Sequence, residues 1–412
     1  MQPLKISKDR LWNTLTEFAR IGADAGGGIT RLCLSLEERE AHELLAKRLH
    51  SIGAIVRVDG AGNTFGKLVG RHPELPAIAI GSHLDTVTNG GMFDGALGVL
   101  GGLEVFETIA ALGLKLNRSL ELICFTGEES SRFGMGLIGS RVTANKLSLS
   151  QQAKLSDGKI SLEEAFKERG FSPSEKDIFS KSQFLAYLEL HIEQGKVLES
   201  GGIDIGLVTH IGSSRRYSFI LTGNFDHTGT TPMDLRKDAL CASAECVLAV
   251  EKIAREFSHI GATATVTIVH QQHASWNTVP GWVKLSIDTR CIDNAKHLEM
   301  VAQINAQLAE IVSKREMTSE WTTVSESDPP MELSSEILKI TQELSDNLKF
   351  SYKKLPCLAG HDAQNMPCPV GMIFIPSKDG KSHSPEEYSS PEQCSLGVEL
   401  LLETVLALDK NS

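Results

Sequence analysis

Apolar positions recur along the chain with two alternating periods. A helical period predicts helices over residues 7–22 and 36–52. The second is preceded by Ser35, carries acids early and bases late, and stops at Gly53, all helix-boundary signals. Ala54–Val58 and Thr64–Val69 read as a hairpin around Asp59–Asn63. The apolar run Pro76–Ile80 predicts a buried strand, and a helix follows over Leu97–Leu112. Early glycines in that helix (Gly98, Gly101, Gly102) imply a close neighbour or a constrained start. Arg118–Phe125 and Phe184–Leu190 are further strands. Residues 143–182 between them are polar and mostly helical by pattern, with Ser161-Leu-Glu-Glu164 as a capping box. Three strands therefore end in loops rich in His, Asp or Glu. Strands alternating with helices predict an α/β fold, a sheet flanked by helices, with sites at the carboxyl ends of strands.

The character changes near residue 211. Strand Arg216–Thr222, helix Ala239–Arg255, strands Ala262–His270 and Val283–Arg290, helix His297–Lys314 and strand Glu320–Ser325 follow. That βαββαβ order predicts a ferredoxin-like module. Asp328-Pro-Pro330 makes a break. Helix 333–347, a segment ending in Ala359-Gly-His-Asp362, strand Gly371–Pro376, loop Ser377–Pro385 and helix 391–409 complete the chain. The expected organisation is one α/β domain in two parts, 1–210 and 328–412, interrupted by an inserted module at 211–327.

A length of 412 residues exceeds one ordinary core, which agrees with two domains. Hydrophobic residues at 41% and charged residues at 23% are globular values. A net charge of −11 argues against nucleic acid and anionic membrane surfaces, which need basic patches. No apolar run approaches the ~18–20 residues of a spanning helix. The N-terminal MQPLKISKDRLWNTL lacks the apolar core of a signal peptide, and the eight cysteines are scattered without a CxxC pair. A cytoplasmic protein with reduced thiols, and no zinc–thiolate site, is expected.

The chemistry centres on Gly81–Gly95, GSHLDTVTNGGMFDG. His83 and Asp85 stand at the end of the predicted strand, and a glycine-rich turn delivers Asp94. An HxD pair alone is more often structural. Glu129, His191 and His383, each after or near another strand end, change that balance. Five such ligands are too many for one tetrahedral ion and suit two, with Asp94 bridging: His83 and His191 on one side, Glu129 and His383 on the other. Nitrogen and oxygen donors without cysteine fit zinc, manganese, cobalt or nickel. Asp85 is placed to accept the far ring N–H of His83. Glu128, beside Glu129, reads as the general base, although a Glu-Glu pair alone also reads as a solvated loop tip.

Other segments suggest substrate contacts. Asp226–Met233 is expected to open the inserted module's helix, and His227 within it reads either as a donor to an oxyanion or as part of a turn. Asn277 lies between two strands. Arg290 ends a strand and reads either as a clamp for a carboxylate or as a surface ion pair. Gln194 and Gly360 are candidate polar contacts. His210, His270 and His361 read as structural.

Together these residues resemble the binuclear metallo-amidases of the hydantoinase/carbamoylase family, within a clan that includes aminoacylases and carboxypeptidases. The matching segments are GSHLDTVTNGGMFDG, TGEESSRFG, ELHIEQGKVLES, HTGTTPMDLRKDAL, NTVPG, DTR, AGHDAQNM and IFIPSKDGKSHSPEEY. The resemblance implies ligand roles for His83, Asp94, Glu129, His191 and His383, and Glu128 as base. A histidine at 191 resembles the carbamoylase and allantoate branch; most peptidases of the clan carry an acid there. It implies oxyanion and substrate-carboxylate contacts at His227, Asn277 and Arg290, and a homodimer formed through the inserted dimerisation and lid module. Leu358 before Ala359–Asp362, and Ser130 after the glutamates, depart from the family pattern. The implied reaction is hydrolysis of a linear ureido or amide C–N bond, foremost N-carbamoyl-L-amino acid to L-amino acid, ammonia and carbon dioxide. Allantoate hydrolysis is the near alternative. An aminopeptidase or aminoacylase of the clan, or a non-catalytic binding protein on this fold, are more distant ones.

Overall fold

The computed structural model describes residues 6–410, which fall into two compact units. The larger comprises the residues up to Thr209, Leu333–Leu355 and those from His361 onward; the smaller comprises His210–Glu332 and Pro356–Gly360.

The larger unit begins with helices α1 (Lys8–Phe18) and α2 (Leu36–Ser51). Ser7 and Ser35 cap them by accepting a first-turn backbone N–H that has no helical partner. Strands β1 (Ile55–Val58) and β2 (Thr64–Leu68) form the expected antiparallel hairpin. Strand β3 (Ala77–His83) runs three residues beyond the apolar stretch that announced it, and leads to α3 (Ala96–Ala111) and β4 (Leu120–Phe125). The region 143–182 departs from the helical expectation. After α4 (Ile138–Thr143), only α5 (Leu149–Gln152), α6 (Leu162–Glu168) and a turn of 3₁₀ helix at Glu175–Asp177 form there. The expected capping box at Ser161 and Glu164 is present. Just before it, the Asp157 carboxylate accepts the N–H groups of Lys159 and Ile160, a side-chain turn that competes with helix. Strand β5 (Phe184–Ile192), helix α7 (Val197–Gly201) and strand β6 (Ile205–Ile211) follow, the last absent from the pattern reading.

The smaller unit holds β7 (Ser213–Thr222), β8 (Asp226–His227), α8 (Ala239–Phe257), β9 (Thr263–Gln271), β10 (Thr278–Val279), β11 (Trp282–Cys291), α9 (Asn294–Lys314), β12 (Thr318–Glu326) and β13 (Met331–Glu332). Four strands form an antiparallel sheet in the order β12-β7-β11-β9. Burial alternates residue by residue along β11, the period of a sheet covered on one face. Phe219, Leu285 and Ile287 of that face pack with Val250 of α8 and with Met300 and Leu308 of α9. Strand β9 is one edge of the sheet, with Ile268 58% and Val269 48% exposed.

Helix α10 (Ser335–Leu348), strands β14 (Tyr352–Cys357) and β15 (Val370–Ile375) and helix α11 (Pro391–Lys410) end the chain. The main sheet is mixed, in the order β1-β2-β4-β3-β5-β15-β6, with β14 beside β6. Its centre, β4, β3, β5 and β15, is parallel. Every residue of β3, β4 and β15 is buried, the signature of strands covered on both faces. Helix α3 is buried almost throughout, and a Cβ at Gly98 would lie 2.5 Å from the Leu190 carbonyl oxygen. The glycine lets α3 lie directly on β5.

Candidate active site

Parallel pairing sets the first two side chains. Register joins Ile80 of β3 to Leu188 of β5, so three residues further on His83 stands level with His191. Their ring centroids are 6.3 Å apart. The β3–α3 loop brings in Asp94, followed at once by Gly95 at φ +62°. A Cβ there would overlap the His83 ring, so the turn requires glycine for both its backbone and its space. The loop after β4 carries Glu128 and Glu129. The loop after β15 carries His383, whose φ of +54° is strained for a residue with a side chain.

Asp94 divides its carboxylate between two groups. Oδ1 lies 3.2 Å from His191 Nε2 and 3.7 Å from His83 Nε2. Oδ2 lies 3.3 Å from His383 Nε2, which is itself 3.2 Å from Glu129 Oε1. In each set, His83–Asp94–His191 and Asp94–Glu129–His383, the donor atoms lie within 4.8 Å of one another. The two deep imidazoles are oriented for this. His83 Nδ1 is 3.0 Å from the Asp85 carbonyl oxygen, and His191 Nδ1 is 2.9 Å from that of Ile192. Both rings thus turn Nε2 toward Asp94. Glu128 Oε2 is 3.8 Å from His83 Nε2.

The electrostatics fit cations. Burial lowers the affinity of His83 for a proton, but Glu128, Asp85 and Asp94 outweigh it and hold the imidazole well above its usual range. Hydrogen bonds to Asp94 and Glu129 push His383 up to about 10. Burial raises Asp94, yet His191, His383 and His83 keep it well below the carboxylate range. Burial drives Glu128 well above its usual range; His83 opposes this and Glu129 adds to it. Acid groups outnumber bases here, and protons on His83 and His383 stand where divalent cations fit. All the donors are nitrogen or oxygen, a set suited to such ions.

Asp85 does more than face His83. Its carboxylate accepts the backbone N–H groups of Glu128 and Glu129, at 3.0 and 2.9 Å. Gln194 Nε2 donates to Asp94 Oδ2 at 2.7 Å and to Ser382 Oγ at 3.1 Å, so its amide serves the acid cluster. His361 is buried with its ring edge-on to His191, centroids 4.6 Å apart, and Nδ1 3.5 Å from Glu189 Oε1. Glu189 also accepts from Ser82 and Tyr187. Glu189 and Ser382 escaped the sequence reading, as did Glu387. Their only sequence signal is their place within ELHIEQGKVLES and IFIPSKDGKSHSPEEY.

The remaining candidates belong to the smaller unit. His227 does not open a helix: it pairs with Thr278 in the β8–β10 ladder, and α8 starts at Ala239 under an Asp238 cap. The reason is chemical, since Asp238 accepts two first-turn N–H groups that the threonines after His227 do not reach. Asn277 adjoins the same ladder, and its carbonyl accepts the N–H of Thr228 at 3.0 Å. Arg290 donates to Asp288 at 2.9 Å and to the Leu358 carbonyl at 2.8 Å. Gly360 is exposed.

Residues 79–407 match the family described as peptidase family M20/M25/M40. The chain is 38% identical to an N-carbamoyl-L-amino acid amidohydrolase of Geobacillus stearothermophilus, over 98% of this chain and 99% of that one. It is 36% identical to a ureidoglycolate hydrolase of Arabidopsis thaliana, over 98% and 87%. With an allantoate amidohydrolase of Bacillus subtilis it shares 34%, over 99% and 100%. A crystal structure of a hydantoinase/carbamoylase family amidase from Burkholderia multivorans superposes with a TM-score of 0.93 at 31% identity, covering 98% of each chain. A metal-type donor cluster at the strand ends, and likeness along the whole chain, agree. The chain belongs to peptidase family M20/M25/M40, in its hydantoinase/carbamoylase branch of metal-dependent amidohydrolases.

Proposed function

We propose that the protein hydrolyses the ureido C–N bond of N-carbamoyl-L-amino acids to the L-amino acid, ammonia and carbon dioxide, using two divalent ions. The observation that carries this is the division of Asp94, Oδ1 toward His83 and His191, Oδ2 toward His383 and Glu129. Zinc, manganese, cobalt or nickel suits the donor set. When bound, such ions polarise the scissile carbonyl and make water acidic enough to attack near neutral pH.

The chain's own residues do the rest. The Glu128 carboxylate takes a proton from the attacking water and gives it to the departing nitrogen. His227 donates to the oxygen on which charge develops. Arg290 holds the substrate carboxylate, with Asn277, Gln194 and Gly360 as further polar contacts. Residues 211–327 act as an inserted ferredoxin-like lid and pair two copies into a homodimer. The exposed edge strand β9 supports pairing, since an unpaired apolar edge invites a partner strand. Among the described residues, no helix is long and apolar enough to cross a membrane. Free cysteines, most of them buried, suit a reducing, cytoplasmic setting.

Full-length likeness to an allantoate amidohydrolase and a ureidoglycolate hydrolase favours a second reading, a ureide substrate such as allantoate or ureidoglycolate. Ammonia release from manganese- or cobalt-loaded protein, given N-carbamoyl-L-amino acids, allantoate and ureidoglycolate side by side, separates the two. Release from the carbamoyl amino acids with L preferred over D is expected. Release from the ureides alone replaces the first reading with the second. Release from neither, with two ions bound, points to acyl amino acids or dipeptides.

A further inference from the structure

One carboxylate outside the donor set joins the two loops that make its outer half. Glu387 is buried. Its Oε1 accepts the backbone N–H of Phe93 at 2.8 Å and of Asp94 at 3.0 Å. Its Oε2 lies 3.0 Å from Ser382 Oγ, and that hydroxyl is 2.8 Å from Asp94 Oδ2. Glu387 thus grips the main chain of the Asp94 loop with one oxygen and, through Ser382, the residue before His383 with the other. A Cβ at Gly91 would overlap the Glu387 carboxylate, so the Asp94 loop is shaped around it.

His383 needs such a grip. Its side chain is 52% exposed, whereas that of His83 is 1% exposed and walled in by the sheet. Its backbone sits in the left-handed region, which a surrounding structure must hold in place.

We propose that Glu387 is a positioning residue that fixes the Asp94–Glu129–His383 donors and thereby sets the affinity of the outer ion more than that of the inner one, whose His83 and His191 are held by the sheet. The clamp works by hydrogen bonding and not by charge. A glutamine at 387 keeps an oxygen for the N–H groups of Phe93 and Asp94. It also offers an N–H to Ser382, which leaves the single hydroxyl proton for Asp94. This rests on the two-ion reading above.

The test is titration of metal-free protein with Zn²⁺ against a competing chelator, read as ions per chain and affinity of each. Wild type binding only one ion defeats the two-ion reading, whatever the variants do. With two ions in wild type, Glu387→Ala should bind the first within a fewfold of wild type and the second about 10–100-fold more weakly, the range typical of residues that support metal ligands. Glu387→Gln should restore both affinities to within a fewfold of wild type. Glu387→Asp keeps the charge but is one methylene too short to reach both loops, and should show the same selective loss. It also serves if the alanine variant does not fold, as judged by melting of the metal-free proteins. Two normal affinities in Glu387→Ala or Glu387→Asp overturn the proposal. Equal weakening of both ions overturns its selectivity for the outer one. A glutamine variant as weak as alanine shows that charge, not the hydrogen-bond clamp, is what matters.

Discussion

The Asp85 carboxylate accepts the backbone N–H of Glu129 at 2.9 Å, while the same carboxylate stands 3.3 Å from His83 Nδ1. One side chain therefore sets both the ring of a deep donor on β3 and the loop that presents two glutamates after β4. Asp85→Asn replaces one acceptor oxygen with an N–H. That N–H must face a backbone N–H of Glu128 or Glu129, or the His83 ring. Metal affinity is expected to fall about 10–100-fold. Chelator competition measures this, and unchanged affinity would mean the Glu128–Glu129 loop holds its own shape.

Glu128→Ala removes the proposed proton carrier but none of the donors around Asp94. Turnover should drop by about 10²–10⁴-fold, the usual worth of a general acid–base group. Metal content measured on the same sample should stay at the wild-type value. Normal turnover would refute the assignment.

Arg290 is held at Nε by Asp288 and at one terminal nitrogen by the Leu358 carbonyl, which fixes the guanidinium plane. If that plane receives the substrate carboxylate, Arg290→Ala should raise KM chiefly for substrates that carry one. A charge-assisted bidentate contact is worth about 2–3 kcal/mol, or roughly 30–150-fold. Equal losses with neutral ureas would sink the clamp assignment.

His42 offers a pH test away from the chemistry. Burial lowers its imidazole from 6.5 to about 4, with Asp85 opposing and Arg31 assisting. Its Nδ1 lies 2.9 Å from Thr64 Oγ1 and its Nε2 3.4 Å from Cys124 Sγ. The native state keeps it neutral, and the unfolded chain protonates first as pH falls. Its stabilising contribution is therefore full above the unfolded pKa and is lost as pH drops toward the folded one, by about 2 kcal/mol at pH 5. Glu38 works in the opposite sense: burial raises it to about 8, so its contribution is lost as pH rises. Urea unfolding of wild type and His42→Gln across this range isolates the imidazole. The gap between them should narrow as pH falls; parallel curves would contradict the shift.

Periodicity located the elements that carry the donors. The apolar run before His83, the run before His191 and the run before His383 each became a buried strand of the main sheet. What periodicity does not report is partners. Glu387 and Asp94 are far apart along the chain, and nothing near either residue signals their contact. Local competition also escaped it. The 143–182 region has helical composition, yet Asp157 and similar side chains capture backbone N–H groups and leave only short turns of helix. Strand β14 was missed because Pro356 lies within its short, half-exposed run. His227 was attached to the wrong element because a threonine-rich turn imitates a helix start, while the cap that forms is Asp238.

Strand β15 lies between β5 and β6, although it is made long after both. During synthesis, residues 184–211 leave the ribosome well before the strand that joins them. Until residue 375 emerges, the apolar edge of β5 has no neighbour on that side, and unpaired edges are where chains cross-pair. A ribosome that stalls or terminates before β15 is made releases a product with its sheet open and the His383 side of the donor cluster missing. Such fragments should be substrates for chaperones and proteases rather than partly active enzymes. Fusion partners placed at the carboxyl terminus will report complete translation more faithfully than those at the amino terminus.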